Sequence, residues 1–369
     1  MKYSKTIKNF IPQKYKAVIY EEFGNPSSVL KVVEVNRPEL RAGEILVQMK
    51  LCSINYSDLL TIQGVYKSRV SLPKIPGFEG IGVVKDIGDD RDSYLLGARV
   101  LPLKGQGTWQ EYNIASSQEV ICIPKEINDQ TAAQLYINPL TVWLMLTEEL
   151  KITKGKTLAI NAGNSACGYI IAKLAQLFEY NLISIVRKND YITKLKEIGA
   201  SLVINTTEED FKNVILEYTN GKGVDYALDA IGGKDGELLA ECVNNGGVML
   251  NYGLLSGTPL PSSCYSNSSY RHVTIKPYFL REWMYNEEIN YRKNIIQEMI
   301  KAFVKLKIVL PVEKEYTIDN VTKAVEAAQA SRQNGKILLC IENNNNIDEA
   351  GLEKKEMFNP LLGGNSSEE

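Results

Sequence analysis

The sequence predicts an α/β chain in which a β-rich region is joined to a doubly wound parallel sheet, and three observations predict it. The first is length. At 369 residues the chain exceeds the roughly 250 to 300 that one hydrophobic core supports, so two domains are expected. The second is a change of texture near Asn128, from short β-branched runs broken by Gly, Pro, Asn and Asp to longer helical stretches. The third is the alternation of strand and helix patterns beyond Thr157, the mark of parallel βαβ units.

The runs KAVIY, VLKVVEV, EILVQMK, GIGVVKDIG, GARVLPL and EVICIP, spread between Tyr15 and Pro124, read as strands. TAAQLYINPLTVWLMLTEEL (131–150) reads as a long helical stretch. TLAIN (157–161) is a strand, followed by a helix to Tyr180, the strand LISIV (182–186) and a helix over 190–198. LVIN (202–205), DYALDA (225–230) and VMLNYG (248–253) continue the sheet, with ligand expected beyond the carboxyl ends of its strands. After a polar segment (256–271) come an amphipathic helix from Glu287 to Leu306, a helix over 320–331 and the strand KILLCI (336–341). The residues from Asn343 onward have little apolar content and read as a disordered, acidic tail.

Composition excludes several functions. Lys plus Arg number 42 against 44 Asp plus Glu, so there is no basic footprint for nucleic acid or an anionic membrane. The longest apolar stretch, Gly168 to Phe178, is interrupted by Lys173 and falls short of a membrane span. Six cysteines lie at least 22 residues apart without a Cys-x-x-Cys pair, which suits a reducing compartment. The N-terminal fifteen residues lack the apolar core of a secretory signal, and their lysine-only charge makes a poor mitochondrial presequence. Cytoplasm is the expected compartment, with the mitochondrion as the alternative.

The most informative motif is the turn Ala162 to Gly168 between TLAIN and the helix YIIAKLAQLF. Small residues there let backbone N–H groups at a helix N-terminus approach a pyrophosphate. Gly163 and Gly168 are present, and Ala166 stands at the usual middle glycine. At the end of the next strand, 24 residues after Gly163, the chain carries Arg187, Lys188 and Asn189 in place of the acid that accepts from a ribose hydroxyl. Cations there pair with a 2′-phosphate, so NADPH is expected over NADH. In the β-rich half, SINYSDLLTIQGVY (53–66) and LPKIPGFEG (72–80) form a second constellation. Their order before a nucleotide fold resembles the medium-chain dehydrogenase/reductase superfamily from about Lys16 to Ile341.

Within that superfamily the chain is most similar to zinc-free reductases of 2-enoyl thioesters of the mitochondrial fatty-acid-synthesis type. GTWQEY (107–112), NAGNSACG, IVRKND, NYGLLSG (251–257) and PYFLREW (277–283) carry the likeness. The resemblance implies a GroES-like β domain from both chain ends (15–133 and 310–342), a Rossmann domain (134–309), an extension (1–14) and a tail (343–369). Zinc-dependent members ligate the metal at positions this chain fills with Asn55 and Phe78, only Glu79 remaining. With one histidine in the chain, His272, no metal is expected. The family also reads Gly-Asn-Glu-Gly where this chain has GFEG, and proline where it has Lys67.

The resemblance makes Tyr66 the catalytic proton donor. A phenol is protonated at pH 7 and can serve a developing enolate without a metal; Thr141 is a further hydroxyl, or a helix cap. By the same resemblance Asn138 sits by the nicotinamide, Asn164, Ser165, Ala166 and Cys167 at the diphosphate, and Arg187, Lys188 and Asn189 at the 2′-phosphate. Tyr252, Gly253, Leu254 and Leu255 lie at the nicotinamide end, Tyr278, Phe279 and Leu280 border the reaction site, and Lys336 completes the pocket. Trp283 lines an acyl channel or is plain core. The expected protein is a homodimeric, NADPH-dependent reductase of enoyl-CoA or enoyl-acyl carrier protein. A quinone or α,β-unsaturated ketone reductase and a non-catalytic NADPH-binding protein are the alternatives.

Overall fold

The computed structural model describes residues 11–103, 107–265, 272–330 and 335–341. The expected tail, most of the expected extension and residues 266–271 of the polar segment lie outside the described residues. β1 (Lys14–Ile19) and β2 (Lys31–Asn36) pair as an antiparallel ribbon, β1 starting on the last residue of the expected extension. The β-rich sheet contains β3 (Glu44–Ser53), β4 (Gly80–Ile87), β5 (Arg99–Pro102), β6 (Tyr112–Ser116) and β7 (Val120–Cys122). Helix α1 (Tyr56–Ile62) follows β3, started by Asp58, whose carboxylate accepts from the Asn55 N–H at 2.8 Å. Gly77 lets the chain pass Trp109: its φ is +100°, and a Cβ there would lie 2.3 Å from the indole.

The stretch 131–150 is not one long helix. It splits into a turn at Asp129–Ala132, helix α2 (Asn138–Leu144) and a π-turn at Met145–Glu149. Two features cause the first break: Pro139 can begin a helix but not continue one, and Glu79 takes the Tyr136 and Ile137 amides as acceptor. Periodicity alone carries neither signal.

The second sheet is parallel throughout: β8 (Thr157–Ile160), β9 (Asn181–Val186), β10 (Leu202–Asn205), β11 (Val224–Asp229), β12 (Val243–Asn251) and β13 (Thr274–Pro277). Their order, β10-β9-β8-β11-β12-β13, reverses direction between β8 and β11, where a doubly wound sheet opens its ligand crevice. β9 is buried over five consecutive residues, as a strand covered on both faces must be. Helix α3 (Ala166–Phe178) links β8 to β9, and α4 (Ile192–Ile198) links β9 to β10, entered through a 3₁₀ turn at Asn189–Tyr191.

Beyond β13 come α5 (Leu280–Asn286) and the amphipathic α6 (Ile289–Lys305). The chain then returns to the β-rich sheet: β14 (Val312–Thr317), α7 (Val321–Gln329) and β15 (Lys336–Cys340), with β15 antiparallel to β3. One hydrophobic cluster runs through both layers, from Leu51, Ile81 and Leu101 through α2 to Leu158, Ile160 and α6. At roughly 25 cal/mol per Å² of apolar area removed from water, this continuous core holds the two sheets in a fixed relation. A crevice between them is thereby defined.

Candidate active site

The turn after β8 is built for close approach. Ala162 adopts φ +49°, the Gly163 N–H donates to the Ile185 carbonyl at 2.9 Å, and the Ser165 hydroxyl accepts from the Gly168 N–H at 3.2 Å to cap α3. Gly168 packs so tightly on the turn that a Cβ would lie 2.1 Å from the Gly163 carbonyl. That contact presses the helix N-terminus onto the strand end, where its unpaired amides and dipole favour an anion.

A cavity of about 260 Å³ opens at this turn. Asn138, Asn164, Ser165, Ala166 and Lys336 line it, with Gln134, Tyr169, Lys194 and Leu310. Five residues expected from the sequence, drawn from α2, the turn into α3 with its first residue, and β15, therefore share one space. Two more adjoin it. The Cys167 thiol donates to the Asn138 Oδ1 at 3.6 Å, and burial pushes its pKa up to about 12. The Tyr252 hydroxyl is buried beside Cys167 and Ser165 without a hydrogen bond of ordinary geometry, so a polar atom faces the turn unsatisfied. Burial also lowers the Lys336 pKa, an effect opposed by Glu79 and by Cys167 and Asp58.

Other expected residues stand outside that lining. Arg187, Lys188 and Asn189 are exposed just past β9, and the Asn189 amide already accepts from Asn205 at 2.9 Å and donates to Glu208 at 2.5 Å. Gly253 passes so close to Ala230 that a Cβ would lie 2.5 Å from its carbonyl, while Leu254 and Leu255 are exposed. Tyr278 is buried with an unpartnered hydroxyl whose pKa is raised by burial; Phe279 is exposed and Leu280 half-buried. Trp283 packs on the main core and against Tyr291, ring centroids 6.3 Å apart, and His272 is exposed.

Tyr66 lies half-buried where α1 gives way to a 3₁₀ turn at Lys67–Arg69. In such a turn residues i and i+3 eclipse, which puts the Arg69 guanidinium 6.0 Å from the Tyr66 ring centroid. Asn55, at a metal-ligand position of the zinc-dependent relatives, donates its carboxamide to Glu79 at 2.7 Å and to Ser53 at 3.1 Å. Phe78, at the other, is partly exposed, and its N–H donates to Asp58 at 3.0 Å.

Sequence reasoning missed Lys194, a cavity-lining cation on α4, and Gln134, Tyr169 and Leu310. Lys194 stands beside Tyr169, 6.0 Å from ammonium to ring, because α3 and α4 pack together, and no spacing in the sequence signals that pair.

Two family models match the chain: the alcohol dehydrogenase GroES-like domain over residues 41–125 and the zinc-binding dehydrogenase over 166–303. A Bacillus thuringiensis protein assigned as an NADPH:quinone reductase is 36% identical, with a TM-score of 0.86 over 90% of this chain and 100% of that one. The structure of an Etr1p complex with NADP and crotonyl-CoA is 26% identical, with a TM-score of 0.78 over 89% of this chain and all of that one. The mitochondrial enoyl-[acyl-carrier-protein] reductase of Mus musculus is 27% identical over 333 residues, 89% of each chain. With a GroES-like sheet, a Rossmann sheet and these likenesses together, the chain belongs to the medium-chain dehydrogenase/reductase superfamily.

Proposed function

We propose that this oxidoreductase reduces trans-2-enoyl thioesters, carried on CoA or acyl carrier protein, to the saturated acyl thioesters, with NADPH as the cofactor. The observation that carries the reading is the convergence of Asn138, residues 164–166 and Lys336 on one cavity, in a chain whose relatives include a complex with NADP and crotonyl-CoA. The residues present fit the cofactor. Gly168 draws the α3 N-terminus onto the turn, and the orphaned Tyr252 hydroxyl offers a polar atom beside it.

In this reading the amides of Asn164 to Cys167 hold the diphosphate, Asn138 and the loop Tyr252 to Leu255 orient the nicotinamide, Lys336 closes the pocket, and Arg187 and Lys188 meet the 2′-phosphate. NADPH, when bound, supplies the hydride that C3 of the enoyl thioester accepts. Tyr66 gives its hydroxyl proton to C2 of the resulting enolate, and water returns a proton to the tyrosinate. The apolar Phe279 and Leu280 border that site and exclude water.

A second reading, reduction of a quinone or an α,β-unsaturated ketone, is favoured by the 36% identity to the Bacillus protein and would use the same cofactor residues. NADPH oxidation measured side by side with crotonyl-CoA and a small quinone separates the two. Preference for the thioester supports the first, preference for the quinone replaces it, and tight NADPH binding without turnover on any acceptor, α,β-unsaturated ketones included, supports a non-catalytic protein. A homodimer belongs to the same proposal. No helix among the described residues is long and apolar enough to cross a membrane, and the mitochondrial name of the mouse relative supports the mitochondrial alternative over cytoplasm.

A further inference from the structure

Glu79 is fully buried between the β-rich sheet and α2, and every lone-pair direction of its carboxylate is taken. Oε2 accepts from the N–H groups of Tyr136 at 2.9 Å and Ile137 at 2.8 Å. Oε1 accepts from the Asn55 carboxamide at 2.7 Å and from the Ser53 hydroxyl. Tyr136 and Ile137 are the last residues before α2, a helix with no side-chain cap of its own and with Asn138 as its first residue. An uncapped helix start leaves its N–H groups without partners, and burial would make that costly. Glu79, the residue before β4, supplies the missing acceptor.

We propose that Glu79 is a positioning residue for the cofactor site, fixing the start of α2 and thereby the place of Asn138 against the Cys167 turn. The hydrogen-bond path runs from Ser53 and Asn55 through Glu79 to Ile137, and from Asn138 to Cys167. This rests on the reading that Asn138 meets NADPH. Of the residues on the path, Glu79 is the one that bonds both to the segment 53–55 and to the residues entering α2. It is also the residue left over from the ligand pattern of the zinc-dependent relatives, here bonded to amides and hydroxyls of the chain itself.

The test is a double-mutant cycle between Glu79→Met and Asn138→Ala, read as the NADPH dissociation constant in a fluorescence titration. A methionine comes near the volume but offers no strong acceptor to any of the four donors, so the Tyr136 and Ile137 amides lose their partner, whereas a glutamine could keep them and turn its NH₂ to the Ser53 hydroxyl and the Asn55 carboxamide. Glu79→Met should weaken NADPH about five- to tenfold in the wild-type background and less than twofold when Asn138 is already alanine. An equal loss in both backgrounds, or no loss in the first, overturns the proposal, since a general weakening of the fold would not depend on Asn138. If Asn138→Ala alone leaves NADPH affinity unchanged, the cofactor reading itself has failed. Should Glu79→Met not fold, hydrogen exchange on the wild-type chain decides. NADPH must slow residues 53–56 together with 135–138; slowing of 135–138 alone contradicts the proposal.

Discussion

The Cys167 thiol hydrogen-bonds to the Asn138 Oδ1 at 3.6 Å, so the dinucleotide turn and the start of α2 are joined side chain to side chain. Burial keeps the thiol protonated and able to donate. The carboxamide's NH₂ remains for a ligand in the cavity.

Asn138→Ala should therefore weaken NADPH binding by about three- to tenfold, the loss of one or two hydrogen bonds, without unfolding the protein. Fluorescence titration with a parallel melting curve checks both parts.

Replacing Arg187 and Lys188 together by alanine should abolish the preference for NADPH over NADH while leaving NADH affinity unchanged. Both side chains are exposed, so solvent screening keeps their contribution near tenfold rather than the hundredfold of buried contacts. Calorimetric titrations of the two cofactors give the ratio.

Much of this was legible in the sequence, and the exceptions share a cause. The parallel strands from β8 to β11 stand within a residue or so of their expected positions because buried β-branched runs report themselves. The turn 162–168 was recognisable because glycine and serine there have backbone reasons to be present. The break before α2 was hidden because it depends on Glu79, 57 residues away from Tyr136, and hydrophobic spacing carries no record of that partner. Lys194 escaped for the same reason: its place in the cavity is a product of how α3 and α4 pack.

Asp58 gives a pH signature. It is buried, and desolvation with help from Glu79 raises its pKa to about 7, against the backbone N–H donors of Asn55 and Phe78 and the charge of Lys336. The folded state thus binds a proton that the unfolded state releases above about pH 4, and the stability associated with this group falls as pH rises from about 4 to 7. Asp58→Asn loses an acceptor at every pH but titrates at none. The melting temperature of wild type relative to Asp58→Asn should decline across that window, and a constant difference would refute the assignment.

Chelator should leave activity unchanged, because the Asn55 carboxamide at the relatives' metal-ligand position is already bonded to Glu79 and Ser53. Stoichiometric zinc in elemental analysis, removed together with activity, would be the contrary result.

Turnover of Tyr66→Phe with NADPH and crotonyl-CoA tests the role of the tyrosine hydroxyl most directly. Removing one oxygen from a half-buried ring should preserve the fold and NADPH affinity. A positioned proton donor contributes about 10² to 10⁴ in rate, so kcat should fall by that factor with a smaller change in KM, Thr141 or water delivering the proton slowly in its place. Wild-type kcat in Tyr66→Phe, under conditions where hydride transfer limits turnover, would contradict the account.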